Sequence, residues 1–147
     1  MKAETITGGC QCGAVRYAIG ELGRASICHC RMCQKAFGSF FGPLVSAIDI
    51  VWTRGERSIF HSSNRRCRGF CATCGTPLTF EHSQGIEVAI GSLDHPELAA
   101  PTVQVNMTEQ CRFIGGLFDL PVVPSIEAEM DANATEELIS YQHPDHD

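Results

Sequence analysis

Seven of the nine cysteines in this 147-residue chain fall into three short groups: Cys10-x-Cys12, Cys28-x-Cys30-x2-Cys33 and Cys71-x2-Cys74. Such spacings bring thiolates close enough to share one soft metal ion, and zinc leads the candidates. The opening "MKAETITGGC" lacks the apolar core of a secretory signal. Together with the odd cysteine count, this favours reduced thiols over a disulfide framework. A cytoplasmic location is expected.

The spacings suggest how the sulfurs divide. In an extended segment alternate side chains face the same way, so Cys10 pairs with Cys12, and Cys28 with Cys30. Cys71-x2-Cys74-Gly75 reads as a turn, with Gly75 free to take the positive φ that lets two sulfurs converge. One Cys-x-Cys and one Cys-x2-Cys make a closed four-thiolate site from Cys10, Cys12, Cys71 and Cys74. That leaves Cys28, Cys30 and Cys33 with a vacant fourth position, the protein-ligand count of a catalytic zinc. The rival reading takes Cys67 or Cys111 as a fourth ligand and makes this set structural too. Cys111 otherwise reads as a small buried hydrophobe. His29, between two ligands on a strand, would point away from their face.

These groups must be positioned by short β-rich runs: "AVRYAI" (14–19), "FFGPLVSAI" (40–48), "RSIFH" (57–61), "PLTFE" (77–81), "IEVAIG" (86–91) and "TVQV" (102–105), parted by Gly, Pro, Asp or Asn. The pattern predicts an all-β sandwich of antiparallel sheets with short helical turns. One turn is expected across "RMCQKAFG" (31–38), and a short helix near "ATEELISY" (134–141). Residues 1–125 form the expected zinc-binding domain and 126–147 an acidic extension ending in a polar tail. The length suits one core, hydrophobic residues make up 44% and charged residues 19%, and no apolar run is long enough for a membrane span.

Charge is uneven. Residues 1–74 hold ten Lys or Arg against four Asp or Glu, whereas residues 75–147 hold one against thirteen. Cations near thiolates stabilise them, which is one account of the basic half. The other is an anion-binding rim around the open site, suited to a carboxylate-bearing thiol, with Arg65, Arg66 and Arg68 as candidates. The acidic net charge of −6 and the lack of a nucleic-acid motif argue against nucleic acid as a partner. Exposed strands of a small sandwich can pair edge to edge, so a homodimer is the oligomer to test.

Three motifs, "GGCQCGAVRY" (8–17), "CHCRMCQKAFGSFF" (28–41) and "RGFCATCGTPL" (68–78), resemble in order and spacing the glutathione-dependent formaldehyde-activating enzyme family, which includes centromere protein V-like proteins. "GLFDLPV" (116–122) is a fainter echo. The resemblance implies a zinc-bearing β-tent with two zinc ions per chain. Cys10, Cys12, Cys71 and Cys74 would hold the structural ion, and Cys28, Cys30 and Cys33 the catalytic one. It also implies a carbon–sulfur lyase reaction on a thiol and an aldehyde, the joining of glutathione to formaldehyde as S-hydroxymethylglutathione. The alternatives are another thiol substrate, or a non-catalytic zinc domain used as a binding scaffold. An additional cysteine, Cys67, stands where the family usually has a polar or basic residue.

The chemistry suits an open three-thiolate zinc, because a bound metal takes the proton from a thiol that is otherwise mostly protonated at neutral pH. No general acid is identifiable from the sequence, His29 and Lys35 being the nearest titratable side chains. Phe37, Phe40 and Phe41, which follow the trio, read mainly as core.

Overall fold

The computed structural model describes residues 5–124 and 132–147. Eight strands and one α-helix build it, with four short 3-10 turns after the seventh strand: β1 (Ile6–Gly9), β2 (Arg16–Cys28), α1 (Arg31–Phe37), β3 (Gly42–Arg54), β4 (Ser58–His61), β5 (Cys67–Phe70), β6 (Pro77–His82), β7 (Gly85–Ala89) and β8 (Val103–Val105). All six strands expected from composition are present. β1 and β5 add two more, on the stretches "ITGG" and "CRGF", whose glycines hide their strand character.

The strands join into one sheet in the order β1-β2-β3-β7-β6-β5-β4, and β8 pairs with β2. Every pairing is antiparallel except β2 with β8. The long β2 is used twice: Arg16–Ile19 pairs with β1, and Ser26–Cys28 pairs with β8. A register shift between Leu22 and Ala25 separates the two halves, as a bulge does where a strand must bend.

Four strands separate β1 from β5 in the sheet order. Laid flat, they would stand about 24 Å apart at the usual strand spacing. Yet the loops that follow them touch: the amide of Gln11 donates to Thr76 Oγ1 at 2.9 Å, and the Sγ atoms of Cys12 and Cys71 are 3.9 Å apart. The sheet therefore doubles over until its far strands meet, and the expected antiparallel β architecture takes the form of one folded sheet.

Inside the fold lie Val15, Tyr17, Ile19, Val45, Leu78, Val88, Ile90 and Leu93. The alternation of Val15, Tyr17 and Ile19 is that of a strand with one face inward. Each large side chain buried this way contributes about 1.5–3 kcal/mol. Tyr17 packs edge-on against Trp52 with ring centroids 5.8 Å apart, and its hydroxyl shares a 2.6 Å hydrogen bond with Ser92 Oγ.

The helix expected near 134–141 does not form; residues 132–147 are irregular. A helix that short is marginal in water unless an apolar face is buried, and Leu138, Ile139 and Tyr141 are exposed. The boundary expected at 125–126 lies outside the described residues. The polar end of the tail returns to the domain: the amide of His143 donates to Gln11 O at 2.8 Å, and Asp147 accepts from Arg16 Nη2 at 2.6 Å. No helix among the described residues is long and apolar enough to cross a membrane.

Candidate metal centres

Two groups of sulfurs converge, each with its Sγ atoms within 4.8 Å of one another: Cys10, Cys12, Cys71 and Cys74 in one, Cys28, Cys30 and Cys33 in the other. All are free thiols. In the first group Cys10 and Cys12 follow β1 and Cys71 and Cys74 follow β5, so the site joins the two strands that the doubled sheet brings together. Neither pair relies on extended backbone. The amide of Cys10 bonds Val15 O at 2.9 Å and that of Gly13 bonds Cys10 O at 3.1 Å, making a turn rather than a strand. On the other side Gly75 takes φ +78°, its amide bonds Cys71 O at 2.8 Å, and Cys71 N bonds Thr76 O at 3.0 Å. A side chain at Gly75 would be strained in that conformation.

The donor set fits zinc. Four sulfurs about 2.3 Å from a tetrahedral ion lie about 3.8 Å from one another. The Cys10–Cys12 and Cys12–Cys71 pairs are 3.6 and 3.9 Å apart. As thiols, these groups titrate far apart. For Cys12 the amide of Ala14 favours the thiolate, but burial and the sulfurs of Cys10, Cys74 and Cys71 outweigh it, pushing the thiol up to about 12. Burial also disfavours the Cys74 thiolate, yet the hydroxyl and amide of Thr76 and the contacts with Cys12 bring it down to about 6. That splitting is what crowded like charges do until a cation joins them.

The second group is built where three elements meet. Cys28 is the last residue of β2, Cys30 caps α1, and Cys33 lies within α1. The first two reach one another, at 3.4 Å, across a strand-to-helix junction rather than along a strand. Each sulfur receives one N–H: Asn106 Nδ2 donates to Cys28 at 3.2 Å, the amide of Cys33 to Cys30 at 3.3 Å, and Arg68 Nη2 to Cys33 at 3.5 Å. Such hydrogen bonds fix ligand orientation and temper thiolate charge. Burial works against the Cys28 thiolate, but Asn106 and the Cys30 contacts hold its thiol below the ordinary value. Burial pushes the Cys33 thiol up to about 12 despite Arg68.

Among the described residues no fourth His, Cys, Asp or Glu joins this group. Cys67 Sγ faces Glu81 Oε2 at 4.0 Å, and Cys111, half-buried rather than buried, faces Gln34 Oε1 at 3.8 Å. His29 is also outside it. Its ring is buried, its Nε2 lies 2.9 Å from Gln104 Oε1, and it packs edge-on against Phe41. Of the three arginines expected at a rim, only Arg68 reaches the sulfurs; Arg65 and Arg66 line a shallow cavity of about 300 Å³ with His61 and Cys67. Phe37 packs against the trio, whereas Phe40 is exposed and meets Phe113 edge-on.

Gln34 and Asn106 escape a reading by spacing. Gln34 Nε2 donates to His29 O at 2.7 Å and to Glu109 O at 2.9 Å, tying α1 to the chain beyond β8. Asn106 takes φ +56° just past β8, a conformation asparagine tolerates better than most residues. That tolerance is the only sequence signal it carries.

A family profile described as glutathione-dependent formaldehyde-activating enzyme matches residues 5–109. That span takes in all seven clustered cysteines, Arg68 and Asn106. Among solved structures, a crystal structure of a Rhodobacter sphaeroides protein is similar in fold. It is 22% identical, covers 67% of this chain and 99% of that one, and has a TM-score of 0.53.

Proposed function

The chain belongs to the glutathione-dependent formaldehyde-activating enzyme family, and from that premise we propose that it joins a thiol to an aldehyde at Cys28, Cys30 and Cys33. The reaction is of the S-(hydroxymethyl)glutathione synthase type, a carbon–sulfur lyase reaction read in reverse. The observation that carries this reading is a three-sulfur group in which every sulfur accepts an N–H and which no fourth His, Cys, Asp or Glu joins among the described residues. Cys10, Cys12, Cys71 and Cys74 serve as the structural zinc site.

Zinc held by the trio would supply the incoming sulfur as a thiolate at neutral pH. The sulfur lone pair then forms the S–C bond to the aldehyde carbon, the C=O π pair moves onto oxygen, and a proton returned to that oxygen completes the hydroxymethyl thioether. The chain's own residues orient the ligands. Asn106 holds Cys28, the first turn of α1 holds Cys30, and Arg68 holds Cys33 while offsetting one negative charge. His29 is walled in between Gln104 and Phe41, which argues against it as the proton donor. Lys35, exposed on α1 two residues after Cys33, is the candidate nearest in sequence.

The test follows exchange of glutathione with formaldehyde at equilibrium by NMR, because the adduct also forms without an enzyme. The zinc-loaded protein should speed exchange without shifting the equilibrium, and Cys30→Ser should abolish the acceleration while the fold persists. No acceleration with any thiol and aldehyde pair, in protein carrying two zinc ions, would replace this reading with that of a zinc scaffold.

A further inference from the structure

The segment "ATEELISY" (134–141) carries the local marks of a helix but does not form one. Asn133 stands three residues before Glu136, the spacing of a reciprocal N-terminal cap. On a helix Ala134, Leu138 and Tyr141 would share one face, with Glu137 at its edge. Here the segment is irregular, with Leu138 76% and Tyr141 86% exposed. The chain just beyond it is pinned: the amide of His143 donates to Gln11 O at 2.8 Å, and Arg16 reaches Asp147 through Nε at 2.9 Å and Nη2 at 2.6 Å. Residues 126–147 carry seven Asp or Glu and no Lys or Arg.

A surface of opposite character stands open on the same chain. Arg31, Met32, Lys35 and Ala36 of α1, with Phe60 of β4, Ser62 and the buried Arg68, line a cleft of about 490 Å³. Met32 is 52% and Phe60 62% exposed, so its apolar walls lie bare. No carboxylate lines it, and none of its three cations forms an ion pair among the described residues. Glu109 takes the backbone amide of Arg31 and not its guanidinium. None of residues 134–141 lines the cleft.

We infer that this cleft is a docking groove for residues 134–141 of a second copy of this chain, each copy giving its segment and receiving the other's. Charge and polarity match: an acidic segment with exposed apolar side chains meets a basic groove with exposed apolar walls. Docked as a helix, the segment lays Leu138 and Tyr141 on Met32, Ala36 and Phe60 and points Glu137 at Lys35 and Arg31, the helix-in-groove mode of recognition. The groove supplies the burial that so short a helix needs. Its apolar contacts carry the affinity, and the exposed charges set orientation and partner choice. The anchor two residues beyond Tyr141 holds the segment away from its own cleft, so a second copy joins the two surfaces without breaking it. Reciprocal docking closes as a two-fold pair. None of this depends on the thiol chemistry.

The experiment follows the mass of the zinc-loaded full chain by sedimentation velocity as concentration is raised. A dimer should form, and Leu138→Asp, Glu137→Lys and Lys35→Glu should each weaken it by roughly tenfold. All three positions are exposed, so the variants keep the monomer fold, which amide spectra check. Glu137→Lys alone, like Lys35→Glu alone, places like charges in both grooves. An equimolar mixture of the two places opposite charges in both, and should dimerise about as tightly as the parent. Backbone carbon shifts of residues 134–141 should turn helical only as dimer forms. A chain that stays monomeric to roughly millimolar concentration, a dimer indifferent to all three changes, or a mixture no tighter than either variant alone would overturn the groove. Helical shifts in the monomer would seat the segment on its own chain and overturn the second copy as its partner.

Discussion

Asn106 Nδ2 lies 3.2 Å from the Sγ of Cys28, a contact between residues 78 positions apart. It exists because β8 runs parallel beside the end of β2, with Val105 directly opposite Cys28. The chain then turns through the left-handed conformation at Asn106, and the amide falls over the sulfur.

Asn106→Gly keeps that backbone accessible and removes only the donor. The variant should fold like the parent and keep the four-sulfur ion. Metal at the trio should bind about 10-fold more weakly, the low end of what lost outer hydrogen bonds cost. Competition with a chromophoric chelator reads this directly. Unchanged affinity at the trio would mean that the contact is incidental.

What could be read from the sequence follows from distance along the chain. The sulfur groupings and α1 were legible because Cys28, Cys30 and Cys33 sit within six residues and each half of the other site within four. The join between Cys10-x-Cys12 and Cys71-x2-Cys74 was legible only by ligand count, since no local pattern shows that a sheet will double over. The donors were not legible. Arg68 stood out by charge, but so did Arg65 and Arg66, and only strand register separates them: Arg68 pairs with Phe80 on the face that meets Cys33, while the other two sit in the turn before β5. The tail misled for a related reason, since "ATEELISY" has the composition of a helix but no surface to bury it.

The two sulfur groups should differ in what they hold up. A structural zinc contributes folding free energy of about 10–16 kcal/mol in small domains, comparable with the whole stability of about 5–15 kcal/mol expected of a domain. Cys74→Ser, which cuts a link between β1 and β5, should therefore leave the protein largely unfolded. Cys30→Ser, which weakens a group contained within one strand-to-helix junction and its neighbours, should leave a folded protein with one zinc. Cys67→Ser should retain both ions. Thermal melts and elemental analysis of the three variants decide it, and a reversed ranking of Cys74 and Cys30 would exchange the roles assigned to the two sites.

Gly42 should be intolerant of any side chain for a reason tied to the trio. A methyl group placed there would lie 2.8 Å from Cys33 Cβ and 3.0 Å from the ring of Phe37. Both belong to α1, so α1 must shift away from β3, carrying Cys33 off Arg68. Gly42→Ala should cost about 1–3 kcal/mol, the usual penalty for overpacking, and release metal from the trio before the four-sulfur site. Denaturation combined with metal counting checks both effects. Normal metal content and normal stability together would show that α1 gives way without cost.

The buried pair of Arg16 and Asp94 gives a prediction with a sign in pH. Arg16 Nη1 and Nη2 reach the two carboxylate oxygens at 2.8 and 2.6 Å, and Thr7 Oγ1 donates to the same carboxylate. Burial works against the Asp94 charge, but Arg16 and Thr7 outweigh it and hold the carboxyl below its ordinary range. A carboxyl depressed on folding stabilises the protein above its unfolded pKa of about 3.9, and that contribution is lost as pH falls through the lower folded value. Asp94→Asn should cost about 3 kcal/mol at pH 7, the low end for breaking a buried pair, because Arg16 keeps Asp147 as a partner. The gap between parent and variant should then narrow as pH drops below about 4. Comparing the two proteins at each pH by chemical denaturation cancels any acid loss of metal from the cysteine groups, which both share. A gap that stays constant from pH 7 to pH 3 would mean that Asp94 acts through shape and hydrogen bonding alone.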